Sequence, residues 1–125
     1  MPPVMTSIFS GLTSEQIESI QKYLEIRICE PGTEIVHLGA VAEDMYFVLE
    51  GEGRMSRNGL DLGTVRAGDH FGELGLISGK PRAATIVAAT KLTLARLDRA
   101  RFNKLVSAEP HLAAQVMLSL INTLG

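Results

Sequence analysis

From about residue 24 to residue 98 apolar and polar positions alternate with period two, broken at short intervals by turn residues. This is the pattern of an antiparallel β-sandwich or barrel. In LEIRICEPG, Leu24, Ile26 and Ile28 alternate with Glu25, Arg27 and Cys29, which predicts a half-buried strand that Pro31-Gly32 ends. DMYFVLEG is apolar without a break from Met45 to Leu49, as expected of a strand covered on both faces. RMSRNGLDLGTV carries Asn58-Gly59 between Met55 and the pair Leu60 and Leu62, and Asn-Gly is the preferred dipeptide of a two-residue type I′ hairpin. ATIVAA and KLTLARLD predict two further strands around an Ala89-Thr90 corner, the second alternating through Leu92 and Leu94 until Arg96 interrupts the phase. Roughly seven or eight strands result.

Helical spacing is confined to the two ends. At the front, Thr13 or Ser14 can cap a helix over about 13–23 in which Ile17, Ile20 and Leu24 recur at helical intervals. At the back, DRARFNKLVSAEP reads as a short helix ending near Pro110, and PHLAAQVMLSLINTLG as a second one that opens on proline and closes on Gly125. Within the last segment Leu112, Ala113, Val116, Met117, Leu120, Ile121 and Leu124 form a stripe wider than one contact surface needs. The expectation is a single domain over residues 1–125, mainly β with flanking helices: a jelly-roll of about eight strands, one N-terminal helix and two C-terminal helices over about 99–124. Pro2-Pro3 suggests a loose N-terminus.

Composition narrows the class of function. A 46% apolar share supports one core, and a net charge of −2 gives no global positive field to attract a nucleic acid backbone. Cys29 is the only cysteine, so an internal disulfide and a CxxC site are both excluded. MPPVMTSIFSGL has neither the basic leader nor the apolar core of a secretory signal, and no uncharged run approaches a membrane span. The expected setting is cytoplasmic, with no membrane insertion and no nucleic acid partner.

The chemistry concentrates in FGELGLISGKPRAAT, residues 71–85. About fifteen residues intervene there between two strands where a tight turn would do, and insertions of that kind are often functional. Gly72 permits close backbone approach, and ELGLIS is long enough for one or two helical turns whose first N–H groups would face an anion. Arg82 can add a forked cationic donor for a phosphate, and Glu73 an acceptor for a sugar hydroxyl. For an isolated acid and base nine residues apart, a salt bridge across a structural turn is the more ordinary use.

The whole stretch resembles the phosphate-binding cassette of the cyclic nucleotide-binding domain family, which includes the cAMP-binding domains of protein kinase regulatory subunits and bacterial catabolite-activator-type sensors. Phe71-Gly72-Glu73-Leu74 and then Pro81-Arg82-Ala83-Ala84-Thr85 match it in type and spacing without a gap. EPGTEIV, EDMYFVLEGEG and RAGDHFGE extend the likeness over about Phe9 to Leu124, with Glu43-Asp44 standing where many relatives have Gly-Asp. The resemblance implies a ligand-sensing module with no catalytic activity and no cofactor. It also implies that Glu73 accepts from the ribose 2′-hydroxyl and that Arg82 binds an exocyclic oxygen of the cyclic phosphate. Amides of Gly75 and Ala83 complete the cradle, with Gly72 and Leu74 beside them. Relatives selective for cGMP commonly carry Thr or Ser after the arginine, so Ala83 favours cAMP, with cGMP the alternative ligand. The resemblance further implies a last helix that moves on binding, and a homodimer through it or an effector domain outside this chain. No aromatic residue follows Phe102 to serve as a lid over the base.

Two other readings compete. A small cupin-like metal enzyme would share the sandwich, but it needs several converging histidines, generally with an HxH pair. His37, His70 and His111 are scattered instead and are expected in ordinary surface or packing roles. An interaction domain that has lost its nucleotide is the second alternative; such relatives usually lose the glutamate or the arginine. GLISGKP departs from a P-loop at Leu74 and Pro81, and GEGRMS departs from a dinucleotide fingerprint at Ser56.

Overall fold

The structure, a computed structural model, describes Met5 and residues 8–124, the last two through their backbone only; the expected looseness at Pro2-Pro3 and the side chain of Leu124 lie outside the described residues. Eight antiparallel strands form two four-stranded sheets flanked by helices. The first sheet has the order β1 (Glu25–Cys29), β8 (Leu92–Asp98), β3 (Asp44–Glu50), β6 (His70–Phe71). The second has the order β2 (Glu34–Val36), β7 (Thr85–Ala88), β4 (Glu52–Arg57), β5 (Leu60–Arg66). The helices are α1 (Ser14–Gln21), α2 (Glu73–Ser78) inside the roll's longest loop, α3 (Arg99–Ala108) and α4 (Pro110–Leu124). No helix among the described residues is long and apolar enough to cross a membrane.

The unbroken apolar run of β3 works as its pattern predicts. Side chains alternate across a strand, so Met45 and Phe47 enter a cluster with Phe9, Ile17, Ile20, Leu105 and Val116, under the helices. Tyr46 and Val48 enter a second cluster with Val65, Phe71, Ile86 and Leu94, between the sheets. The neighbouring strand β8 is shared in the same way, Ala95 and Leu97 going to the helices and Leu92 and Leu94 to the interior. Arg96 does not interrupt that alternation, contrary to the sequence expectation. It pairs with Tyr46 in register and stays on the face of Leu92 and Leu94, beyond the last apolar residue.

The hairpin forms as expected. Asn58 and Gly59 both have positive φ, 49° and 80°, and Arg57 pairs with Leu60 across them, the geometry of a type I′ turn. Thr13 caps α1, its hydroxyl accepting from Gln16 N–H while Gln16 accepts from Thr13 N–H in a reciprocal capping box. At the junction of the last two helices, Tyr23 donates to Glu109 at 2.6 Å and ties the end of α1 to them.

One expectation needs correction. Ile26 and Ile28 are exposed, at 57% and 60%, whereas Glu25 and Cys29 on the other face are half-buried. Strand β1 is a sheet edge, and its isoleucines share the helix side with Ala95 and Thr93 but lie beyond the helices' reach. Periodicity reports which residues share a face, not whether that face is covered. Ahead of α1, Phe9 N–H donates to Met5 carbonyl at 3.0 Å, and Met5, Ile8 and Phe9 are buried. On α4 the stripe splits. Leu112, Ala113, Val116 and Leu120 are buried, while Ile121, together with Leu118, stays exposed.

Burial therefore separates two isoleucine and leucine positions that look alike in the sequence. Ile28→Ser is expected to change unfolding free energy by no more than about 0.5 kcal/mol, against about 2–5 kcal/mol for Leu94→Ala. Urea unfolding followed by circular dichroism measures both, and a large loss at Ile28 would show that the outer face of β1 is covered.

Candidate ligand site

The long loop is held at both ends before any side chain enters it. Gly72 leaves β6 at φ 86° and acts as the N-cap of α2. Arg82 N–H donates to Ala40 carbonyl at 2.9 Å, and Gly39 N–H donates to Arg82 carbonyl at 2.8 Å, so the returning strand is stitched to the β2–β3 connection. Leu76 reaches down from α2 into the helix-side core, fully buried. The short helix is thus clamped between two backbone anchors and one apolar plug.

Two of this loop's three glycines, Gly72 and Gly75, make room for the arginine more than for a ligand. A Cβ on Gly72 would come within 2.8 Å of Arg82 Nη1 and 2.9 Å of the Asp44 carbonyl. One on Gly75 would meet the Ala42 carbonyl at 2.5 Å and Arg82 Nη1 at 2.7 Å. The guanidinium consequently lies against bare backbone, where Nη1 donates to Gly72 carbonyl at 3.2 Å.

Arg82 is 7% exposed, and its Nη2 forms an ion pair with Asp44. Asp44 is itself buried and accepts from two more donors, Arg96 Nε at 2.7 Å and the Tyr46 hydroxyl at 3.2 Å. Burial, followed by the nearby Asp44 carboxylate, pushes the Tyr46 phenol above its ordinary value, so it remains a donor at neutral pH. From Arg96 the ion pairs continue to Asp98 at 3.1 Å. Asp98 caps α3 by accepting from Arg101 N–H at 2.8 Å, a bond that, more than burial opposes it, holds its carboxyl below the usual range. A charged chain therefore runs from the loop to the first turn of α3. Arg82 keeps a donor unspent, since its buried Nε meets no hydrogen-bond acceptor among the described residues.

Glu73 opens α2 and is also buried, at 9% exposure. Its partner is not Arg82 but His70, whose Nδ1 lies 3.3 Å from Glu73 Oε1. Burial works to raise the carboxyl's pKa, but the contact with His70, its own backbone N–H and the more distant Arg82 charge outweigh it and hold the group below its ordinary value. The turn-forming Glu73–Arg82 salt bridge that the sequence left open is not what forms; each residue has a different partner.

A cavity of about 280 Å³ lies between this loop and the second sheet, with Val36, Met55 and Ile86 as its apolar floor. Gly72, Glu73, Leu74, Gly75, Arg82 and Ala83 all line it, together with His70, Phe71 and Lys80. Glu73 and Arg82 are buried, whereas Leu74 is 57% exposed and Ala83 lies at the surface. Gly75 N–H already donates to Gly72 carbonyl at 3.1 Å, so an anion would share or replace that bond. His70 is buried beside the site, its side chain 5% exposed and its ring packed 6.3 Å from that of Phe47, within the packing role expected of it. His37 is exposed and pairs with Glu34, and His111 is exposed on α4. Sequence reasoning also missed Asp44 and Arg96 as parts of this network. Only the acid before the Tyr46 strand and the charge inside an apolar β8 could have signalled them. Among the described residues no group of three or more His, Cys, Asp and Glu is placed to hold a metal.

With this geometry established, comparison with known proteins is specific. The family model described as cyclic nucleotide-binding domain matches residues 26–109. A cyclic nucleotide-gated potassium channel of Rhizobium etli is 34% identical over 120 residues, 94% of this chain and 33% of the channel. A cAMP-dependent protein kinase regulatory subunit of Yarrowia lipolytica is 34% identical over 101 residues, 79% of this chain and 27% of the subunit. The chain thus spans about a third or less of the curated relatives it matches. Among solved structures, the catabolite activator protein of Thermus thermophilus superimposes with a TM-score of 0.79 at 26% identity, covering 94% of this chain and 57% of that one.

The Asp44 cluster should dominate the stability of this end of the roll. Asp44→Ala is expected to cost about 3–5 kcal/mol, because it strands the buried Arg82 and deprives Arg96 of a partner. Asp44→Asn, which keeps a neutral acceptor, should cost less. Thermal and urea unfolding of both variants measure it, and losses below about 1 kcal/mol for both would show that the arginines are held by other means.

Proposed function

The chain belongs to the cyclic nucleotide-binding domain family, a regulatory ligand-binding domain, and from that premise we propose that its cavity binds cAMP and reports occupancy through its C-terminal helices. The observation that carries this reading is Arg82: a permanent cation, 7% exposed, lining an apolar-floored cavity with one N–H unspent. A buried guanidinium with spare donor capacity suits a phosphate monoanion better than water does. Glu73, ionised and on the same cavity, is the acceptor for the ribose 2′-hydroxyl. Backbone amides at Gly75 and Ala83 complete the cradle, with Gly72 and Leu74 flanking it. Ala83 offers no hydroxyl to a guanine amino group, which favours cAMP over cGMP.

Coupling to the helices follows from competition for one cation. A phosphate drawing on Arg82 weakens the hold of Asp44, and Asp44 is linked through Arg96 to Asp98, the cap of α3. Leu76, fully buried among residues of α3 and α4, supplies a second, apolar link from the loop to the same helices. The exposed Leu118 and Ile121 on α4 then provide the surface for a second copy or for an effector domain outside this chain. In this reading the domain performs no chemistry of its own, requires no cofactor, binds no nucleic acid and works in the cytoplasm.

Isothermal titration with cAMP and cGMP tests the ligand; absence of heat and of thermal protection at millimolar nucleotide would remove the proposal. Arg82→Ala is expected to lose about 2–5 kcal/mol of affinity, and to destabilise the empty domain as well, because Asp44 loses its partner. The cleaner variant is Glu73→Gln, expected to cost about 1–3 kcal/mol in cAMP affinity. The 2′-deoxy analogue should bind the parent more weakly than cAMP does, yet bind Glu73→Gln almost as well as cAMP does, the coupling a direct contact requires. Equal discrimination by both proteins would show that Glu73 does not meet the ribose.

Helix coupling has its own readout. Hydrogen exchange over Met117 to Leu124 is expected to change on addition of cAMP, with sedimentation reporting any dimer. A strict monomer with unchanged exchange would refute coupling while leaving ligand binding intact.

A further inference from the structure

We propose that His70 is a positioning residue of the ligand site, holding the Glu73 carboxylate from the helix side and making cyclic nucleotide affinity rise as pH falls from about 8 to about 6. The inference rests on the reading of Glu73 as the ribose acceptor.

The register of β6 generates the arrangement. Phe71 pairs with Tyr46 and stacks on it at 5.3 Å between ring centres, facing the roll's interior. His70 pairs with Phe47 and therefore faces the other way, its ring 6.3 Å from that of Phe47, which in turn packs on Phe9 at 5.0 Å. From that side its Nδ1 reaches Glu73 Oε1 at 3.3 Å with only 5% of the imidazole exposed. A carboxylate has two oxygens and several acceptor directions, so fixing Oε1 restricts the rotamer while leaving Oε2 as an acceptor. An aromatic or hydroxyl side chain at this position could fill the space, but it could not place a titrating cation against the carboxylate.

The ionisable groups of the surrounding elements set the sign. They are Glu73 itself on α2, Asp44 and Tyr46 on β3, and Lys80 and Arg82 in the loop beyond α2; Asp69 precedes His70 and is engaged by Arg66 N–H at 2.7 Å. Asp44 is committed to two arginines, and Glu73 stays ionised throughout the window because its pKa is held below the ordinary carboxylate value. Across the 3.3 Å between Nδ1 and Oε1, only the imidazolium offsets the charge of Glu73. Bound nucleotide screens Glu73 from water and adds a phosphate monoanion to the same cavity. Both changes favour the protonated histidine. A complex that binds more protons than the free protein gains affinity as pH falls. His37 and His111 lie elsewhere on the surface and do not line the cavity.

Calorimetric titration with cAMP at several pH values between about 6 and 8 is the test, and a tightening of about three- to tenfold towards the acid end is expected. His70→Gln retains an N–H donor without a titrating charge and should vary less than about twofold over the same range. His70→Phe should weaken cAMP while leaving the 2′-deoxy analogue almost unchanged, because the effect acts through Glu73. A wild type that binds cAMP with a flat pH profile, or a slope that survives in His70→Gln, would each overturn the assignment while leaving the ligand reading intact. A wild type that binds neither cAMP nor cGMP at any pH would overturn that reading, and this inference with it.

Discussion

A buried carboxylate between two arginines governs this molecule. Asp44 takes a hydrogen bond or ion pair from Arg82, Arg96 and Tyr46 at once. One buried cation, one half-buried cation and a buried anion are tolerable together because Asp44 accepts from both arginines while Arg82 and Arg96 also reach the Gly72 carbonyl and Asp98. The backbone is shaped around that requirement. Gly72 and Gly75 lack the Cβ atoms that would strike the guanidinium, and the loop returns along residues 39 and 40 so that Arg82 can enter from the far side. Remove the carboxylate and neither arginine has a reason to be inside.

The same cluster joins the loop to the C-terminal helices. Asp44 is linked through Arg96 to Asp98, which caps α3, a terminus where one lost hydrogen bond is worth about 1 kcal/mol. Apolar packing makes a second connection: Leu76 on the loop helix shares a cluster with Leu105 on α3 and Val116 on α4. In the function proposed above, these two connections are the routes by which an anion that competes with Asp44 for Arg82 would reach the helices.

Glu73 and Arg82 illustrate how partners are divided within a small volume. Both line one cavity, yet each has a different neighbour, His70 beside Glu73 and Asp44 beside Arg82. Had they paired with each other, the acid and the base would have cancelled within the cavity and left little to offer a ligand. Holding each by a different neighbour keeps an acceptor and a donor facing the same space, at the expense of burying four charged or titratable side chains around it.

Much of this was legible in the sequence. The period-two pattern defined the strands, Asn58-Gly59 the hairpin and Thr13 the helix cap, and one contiguous stretch holds Gly72, Glu73 and Arg82, which line a common cavity; each depends on neighbours a few residues away or on a single loop. What escaped depends on residues distant in the chain. The exposure of Ile26 and Ile28 follows from β1 being a sheet edge that the helices do not cover. Arg96 looked like a break in an apolar strand, and it is a ligand of Asp44, fifty-two residues away. The neighbours of His70 follow from which face of a two-residue strand it occupies, and that is set by its pairing with Phe47. Local sequence determines which atoms can donate, accept or pack; only the tertiary fold decides which of them meet, since in a roll of crossing strands the partner of a buried charge is set by register and sheet order.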